Sequence, residues 1–365
     1  MTRRERILAT LNHQRPDRIP AIFAARPEVD NAMMEHYGVD SMAEVHRILG
    51  TDGWGGVSIP IDFSEFRARV NGKLPGTSMY SGRDVIFHDE TTFEDEWGIV
   101  RRLGAEGKYV EWISGPMVDV DHPDEGGYPT VDRLVDVPDL ADRVAKLKAQ
   151  DLFVTSSIVM PFKTAWEQRG MESLFTDYHL NPDFVGDLYD RIFALGSEML
   201  ARATAAGVDA INVGGDIAMQ DRLIVGPDNW RRFEKPRLAA MIERCKSINP
   251  EVYVRMHSDG DLWSIMEDLL EIGFYVIDPI QPECMDPVEV KRKFGDRMVL
   301  HGCGSVQRTM PFGTVEDNRN EVITLIEKCG YNGGLVIRAS NAIAFDCPTE
   351  NVVAFFETAR DHRWS

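Results

Sequence analysis

Val208-Asp209-Ala210-Ile211-Asn212-Val213 and Glu251-Val252-Tyr253-Val254-Arg255-Met256 flank a stretch, Asp228 to Ser247, in which Trp230, Phe233, Leu238, Met241 and Ile242 recur at three-to-four spacing. Two short β-rich runs around one amphipathic helix, itself opened by Gly226-Pro227-Asp228, form a βαβ unit. The pattern repeats toward the C-terminus. Leu262 to Ile272 reads as helix, Phe274 to Ile277 as strand, Pro287 to Phe294 as helix, Met298 to Leu300 as strand and Val315 to Lys328 as helix. Leu335 to Ile337 is a further strand, and Pro348 fits the first position of a helix through Ala359, where its missing N–H is not needed. Upstream, Leu152 to Ile158 reads as strand, with Lys163 to Arg169 and Pro182 to Ala206 helical.

Successive βα units with near-continuously apolar strands require a parallel sheet covered on both faces, either a closed barrel or an open doubly wound sheet. No Gly-x-Gly-x-x-Gly turn follows any of the strands, and Gly302-Cys303-Gly304 lacks the third glycine that lets a helix close on a pyrophosphate. The expectation is therefore a closed βα barrel without a nucleotide. The first 150 residues are less regular: Arg3 to Leu11 and Ser41 to Leu49 read as helices, the latter opened by a Ser41-x-x-Glu44 capping box. Ala105 to Tyr128 is rich in Gly, Asp and Glu, with Trp97 and Trp112 nearby. The expectation is one domain over residues 1–365, with an elaborated helical and β-rich part (1–150) partly covering the barrel mouth and regular βα units over 151–365.

The chain has 365 residues, 43% hydrophobic, enough for a large core. Forty Lys and Arg against fifty-nine Asp and Glu give a net charge of -19, which opposes nucleic-acid backbone binding and adhesion to anionic membranes. Five cysteines, at 245, 284, 303, 329 and 347, are odd in number and confined to the last third, so a disulfide framework is not expected. Arg3, Arg4 and Arg6 run straight into Ile7-Leu8-Ala9 with no apolar leader, and no 18-residue apolar run occurs. A soluble, cytoplasmic protein is expected.

In a βα barrel the functional groups stand at the C-terminal ends of the strands. Those positions are polar here: Asp216 and Gln220; His257, Ser258 and Asp259; Asp278, Gln281 and Glu283; His301, Cys303, Ser305 and Gln307; and Arg338, Ser340 and Asn341. His257 and Asp259, two apart on a departing strand, project to one side and can share a metal or a proton, with Glu283 or Cys303 as a further ligand. In the blander reading His257 hydrogen-bonds a carboxylate, Asp259 caps the helix beginning near Leu262, and Cys303 is a small buried hydrophobe. Cys245, Cys329 and Cys347 read as core, and the tryptophans as packing.

Across nearly its full length the chain resembles the uroporphyrinogen decarboxylase superfamily, which also holds corrinoid-dependent methyltransferases. The matching segments are Thr2 to Arg6, Arg15-Pro16-Asp17-Arg18-Ile19-Pro20, Asp95-Glu96-Trp97-Gly98, Gly170-Met171-Glu172, Gly214-Gly215-Asp216 with Gln220, and Trp230 through Pro236. His257-Ser258-Asp259-Gly260, Ile272-Gly273, Asp278-Pro279-Ile280-Gln281-Pro282, Phe312-Gly313-Thr314 and Pro348-Thr349-Glu350-Asn351 complete the set. The resemblance implies the (β/α)8 TIM barrel independently of periodicity.

Departures from the pattern narrow the branch. Ala24-Ala25-Arg26-Pro27-Glu28 does not match the Arg-Gln-Ala-Gly-Arg-Tyr-like segment of true uroporphyrinogen decarboxylases. The superfamily's zinc methyltransferases carry His-x-Cys and a second, later Cys; here His257 is kept, Asp259 takes the first Cys place and Asn341 the second. That excludes a thiolate-rich zinc site and leaves open a harder His/carboxylate site with zinc or another divalent ion. The resemblance implies a methyltransferase that demethylates a small O-, N- or S-methyl compound, a corrinoid protein as partner and acceptor, and a homodimer. The alternative is a cofactor-independent decarboxylase or C–C lyase of a small carboxylic acid, with Asp216 or Asp259 stabilising the intermediate and His257 protonating carbon. In either case His257, Asp259 and Asp216 are the expected catalytic residues, and Gln220, Gln281, Arg338, Ser340, Asn341 and Ser305 the expected substrate contacts.

Overall fold

The computed structural model describes residues 1–75, 82–104 and 109–364. Its strands are β1 (Trp54–Gly56), β2 (Gly72–Lys73), β3 (Asp84–Phe87), β4 (Thr92–Glu94), β5 (Val100–Leu103), β6 (Val110–Ser114), β7 (Phe153–Val159), β8 (Ala210–Gly214), β9 (Tyr253–His257), β10 (Val276–Ile280), β11 (Val299–Gly304) and β12 (Leu335–Ala339). Seven of them form a parallel sheet in the order β1-β7-β8-β9-β10-β11-β12. Helices connect its successive strands from β7 onward, so the α/β architecture expected from the repeating pattern is present.

The segment around Ala21 pairs with one edge of this sheet and bonds the residue just ahead of the other. Ile22 N–H donates to Ile337 O at 2.9 Å and Ile337 N–H to Pro20 O at 2.9 Å, beside β12, while Asp52 N–H, just ahead of β1, donates to Ala21 O at 2.7 Å. Part of the N-terminal 150 residues thus belongs to the sheet itself. A three-residue strand reading Trp-Gly-Gly carries too little β-branched sequence to announce itself.

Side chains inside the curled sheet are layered. At the N-terminal ends Phe153, Ala210, Val276, Val299 and Val336 form one buried cluster with Ile7 and Leu11 of the first helix, Arg3–Leu11. Each large side chain buried there stabilises the fold by about 1.5–3 kcal/mol. The alternate residues, among them Ile211, Val213, Val254, Met256, Ile277 and Leu300, point outward into the main core against the helices. Above the apolar floor the inward positions become ionisable: Arg255, Asp278, His301 and Arg338.

The helix expected over Asp228 to Ser247 is two, Pro227–Phe233 and Lys235–Ile248. Pro236 supplies no N–H to the preceding turn, so the ladder is interrupted beside it. Leu262 to Ile272 begins as a 3-10 turn, Trp263–Ile265, before Met266–Glu271 becomes α-helical. Its N-cap is Leu262, and Asp261 just before it, not Asp259, accepts from Trp263 N–H at 2.8 Å. Pro348 is the N-cap of Thr349–Asp361 and not its first residue. Ser41 accepts from Glu44 N–H, giving half of the expected capping box.

The β-rich insertion is a five-stranded antiparallel sheet, β2-β3-β4-β5-β6. It is tied to the helix after β7: Trp112 Nε1–H donates to Glu167 O at 2.9 Å and Arg101 pairs with Glu167 at 3.0 Å. Trp97 and Ile99 from this region, with Ser157, Ile158 and Val159 at the end of β7, line a cavity of about 160 Å³. The first part of the Gly-, Asp- and Glu-rich stretch, 105–108, lies outside the described residues. Among the described residues no helix is long and apolar enough to cross a membrane, and the five cysteines are unpaired thiols.

Candidate active site at the strand ends

β9 delivers the site. Its inward residues Arg255 and His257 stand beside Asp278 of the neighbouring β10, and the register pairs His257 with Asp278 directly. Asp278 is completely buried. It bonds the Arg255 guanidinium through Nη2, and its Oδ2 lies 2.7 Å from His257 Nδ1 and 3.5 Å from Arg338 Nη1. His301 Nδ1 lies 2.8 Å from Oδ1, off the direction of a hydrogen bond, so that contact is electrostatic. Burial alone would raise the Asp278 carboxyl, but the charge of Arg255 and its other cationic neighbours and the bond from His257 hold it well below its ordinary range. Burial pushes His301 down to about 4, so it stands neutral, its ring stacked on Trp54 at 5.4 Å. Arg255 lies over the same indole at 4.8 Å.

Asp216, His257 and Asp259 converge, with one ligand atom of each within 4.8 Å of the others. The loops explain why. Asp259 N–H donates to Asp216 Oδ1 at 2.9 Å, which ties the turn after β9 to the turn after β8. Gly260, at φ +95, lies so close to Ala218 and Met219 that a Cβ there would be 2.5 Å from Met219 O, and only glycine allows this approach. Gln281 Oε1 accepts from Gly260 N–H at 3.1 Å and fixes the same turn from the other side. Asn341, beyond β12, bonds Asp259 Oδ2 through Nδ2.

His257 is drawn down by burial, but its bond to Asp278 and the charge of that carboxylate outweigh this and raise it above an ordinary imidazole. Burial, with the charge of Asp216, raises Asp259. Asp259 Oδ1 is buried with no partner. With Nδ1 engaged by Asp278, His257 presents Nε2 to the cluster.

The other expected residues are spread more widely. Glu283 bonds the Ser305 hydroxyl, which also accepts from Arg308 N–H and Thr309 N–H at 3.1 Å each, so Ser305 organises its own loop. Ser340 Oγ donates to Gly304 O at 2.7 Å and is buried, and Gln220 meets Gln307 at 3.0 Å on the surface. The Cys303 thiol is buried at φ +76 and pushed well above its ordinary range by burial. Neither Glu283 nor Cys303 is among the converging groups. The sequence reading omitted Arg255 and gave Asp278 no special place. The available signal was a charged residue, Arg255, two before His257 in an otherwise apolar strand, since an unpaired charge is not tolerated inside a sheet.

The sequence profile of the uroporphyrinogen decarboxylase (URO-D) family matches residues 113–362, most of the chain and all of the strands from β7 onward. The chain belongs to the uroporphyrinogen decarboxylase family. Among curated members of the uroporphyrinogen decarboxylase family, the rice chloroplastic enzyme 2 is 25% identical over 140 residues, which is 38% of this chain and 34% of that protein. The barley uroporphyrinogen decarboxylase is 24% identical over 140 residues, 38% of this chain and 41% of its own. The match therefore spans well under half of these relatives. In three dimensions the chain is similar to a methyltransferase from Methanosarcina mazei, at 18% identity over 99% of both chains with a TM-score of 0.65, a likeness of fold.

Proposed function

We propose that this family member is a methyltransferase that removes a methyl group from a small O-, N- or S-methyl compound and passes it to a corrinoid protein, using a divalent ion such as zinc at Asp216, His257 and Asp259. The observation that carries the reading is the convergence of these three side chains at the ends of two adjacent strands. A cation fits them on chemical grounds: Asp259 Oδ1 is an orphaned buried acceptor, and His257 has its second nitrogen held by a carboxylate, the usual support behind a metal-bound imidazole. Three protein groups leave a position for substrate, as in catalytic rather than structural sites. The methyltransferase with the same fold supports the choice of reaction class. The reading also takes the sheet as a closed eight-membered barrel, with the segment at Ala21 as its remaining member, and the chain as one domain.

Bound there, the ion would act as a Lewis acid on the methyl-bearing heteroatom, whose departure is otherwise poor. The chain's own groups do the rest. Asp278 keeps the proton on His257 Nδ1 and aims Nε2 at the cluster, while Asn341 and the Asp216 bond to Asp259 N–H set the carboxylates. Arg255 and Arg338 keep Asp278 ionised.

A second reading, decarboxylation or C–C lysis of a small acid without a metal, draws on the raised His257. A protonated imidazole backed by a carboxylate is a competent acid for protonating carbon.

Plasma mass spectrometry of protein purified without chelator tests the first reading. About one divalent ion per chain, absent from His257→Ala, is expected, together with methylation of reduced cobalamin, from an added small O-, N- or S-methyl compound, by the metal-loaded protein and not by the metal-free one. An equal metal content in both proteins would reject the site, and metal-free protein with decarboxylase activity would favour the second reading.

A further inference from the structure

From the charge balance beneath the converging cluster we infer that the substrate is an organic anion whose carboxylate binds Arg338. The inference rests on reading the Asp216–His257–Asp259 cluster as the reaction centre. At the level of β9, β10 and β12, two guanidinium groups, Arg255 and Arg338, share one carboxylate, Asp278, while His301 is neutral. Arg255 bonds Asp278 through Nη2 and lies on the face of Trp54, with its Nε buried and unpartnered among the described residues. Arg338 is held less closely. Its Nε–H donates to Ala339 O at 2.9 Å, which turns the side chain toward the C-terminal end of its own strand, and its Nη1 is 3.5 Å from Asp278. Among the described residues Nη2 has no partner, although the side chain is only 13% exposed.

A guanidinium so little exposed, with Nη2 unpaired among the described residues, is a complementary site for the two oxygens of a carboxylate. Its position suits a substrate of the proposed reaction. His257 and Arg338 approach the same Asp278 oxygen, and Asn341, three residues after Arg338, reaches Asp259. A small acid anchored at Arg338 therefore places a methyl-bearing heteroatom a few bonds away beside the cluster. Methylated small carboxylic acids, such as methoxy acids or N-methyl amino acids, have that shape.

Calorimetric titration with methoxyacetate against neutral 2-methoxyethanol, and with 4-methoxybenzoate against anisole, tests this on the protein as purified and on Arg338→Met and Arg338→Lys. In the parent protein at least one carboxylate is expected to bind about tenfold or more tightly than its neutral partner, since a site built for a charged group rejects an analogue lacking it. The preference should fall to near unity in Arg338→Met and weaken in Arg338→Lys, which keeps a cation beside Asp278 and guards against loss of fold. Metal content should not change. A preference unaltered in both variants, or one that vanishes only when the metal is removed, would overturn the proposal, as would no carboxylate binding up to about 10 mM. Carboxylate selectivity in a protein without metal would leave this inference standing and reject the metal site instead.

Discussion

Asp278 is the residue on which the others depend, because removing its charge strands Arg255 inside the sheet. Asp278→Asn is expected to destabilise the protein by about 3–5 kcal/mol, the usual consequence of leaving a buried partner uncompensated, measured by urea denaturation; a loss below about 1 kcal/mol would show that Arg255 finds another partner or water. Gly302 presents a different constraint. It has φ +91, and a Cβ there would come within 2.8 Å of Pro279 Cβ. Gly302→Ala should therefore lower stability by about 1–3 kcal/mol through strain alone, visible as a lower unfolding midpoint. At this scale the sequence revealed much but not the hierarchy. His257, Asp259 and Asp216 were visible because polar residues at strand ends are conspicuous, whereas Arg255 was hidden within a strand and the linking bonds from Gln281 and Asn341 depend on loops whose path no periodicity encodes.

At the scale of elements, strands and helices from β7 onward follow from alternation of apolar runs with three-to-four spacing, within a few residues at their ends. The errors have local causes: Pro236 divides one helix, and Asp261 rather than Asp259 bonds the start of the next, ahead of its N-cap Leu262. Asp261→Ala is expected to cost about 1 kcal/mol in thermal unfolding through the lost bond to Trp263 N–H, while leaving metal content unchanged; a loss of metal would mean that the turn holding Asp259 depends on this bond. β1 and the segment at Ala21 were not legible. Both are short, and their place is set by partners remote in sequence, Phe153 to Thr155 for β1 and Ile337 for the segment at Ala21, and by two bonds between Ala21 and Asp52, none of which leaves a local pattern.

For the whole molecule the relevant property is proton linkage. Glu234, between the helices Pro227–Phe233 and Lys235–Ile248, is completely buried, and burial raises its carboxyl to about 8. The folded state therefore holds a proton that the unfolded chain releases. Stability from this group is complete below the ordinary Glu value and is lost as pH rises toward about 8. Urea denaturation from pH 5 to 8 should show a decline of the order of a few kcal/mol, reduced in Glu234→Gln, which carries no such proton. Equal slopes in the two proteins would assign the decline to other groups.

The backbone bonds joining Ile22 and Pro20 to Ile337 also bear on how the protein is made. The first helix and the segment behind it are made long before their sheet partner, which follows hundreds of residues later. Until then the N-terminal segment lacks its hydrogen-bonding neighbour and the edge of β11 is bare, a state prone to aggregation. Ribosome-bound chains arrested before Leu335 should accordingly be cut readily by protease, and chains extended past β12 and clear of the ribosome should abruptly gain resistance.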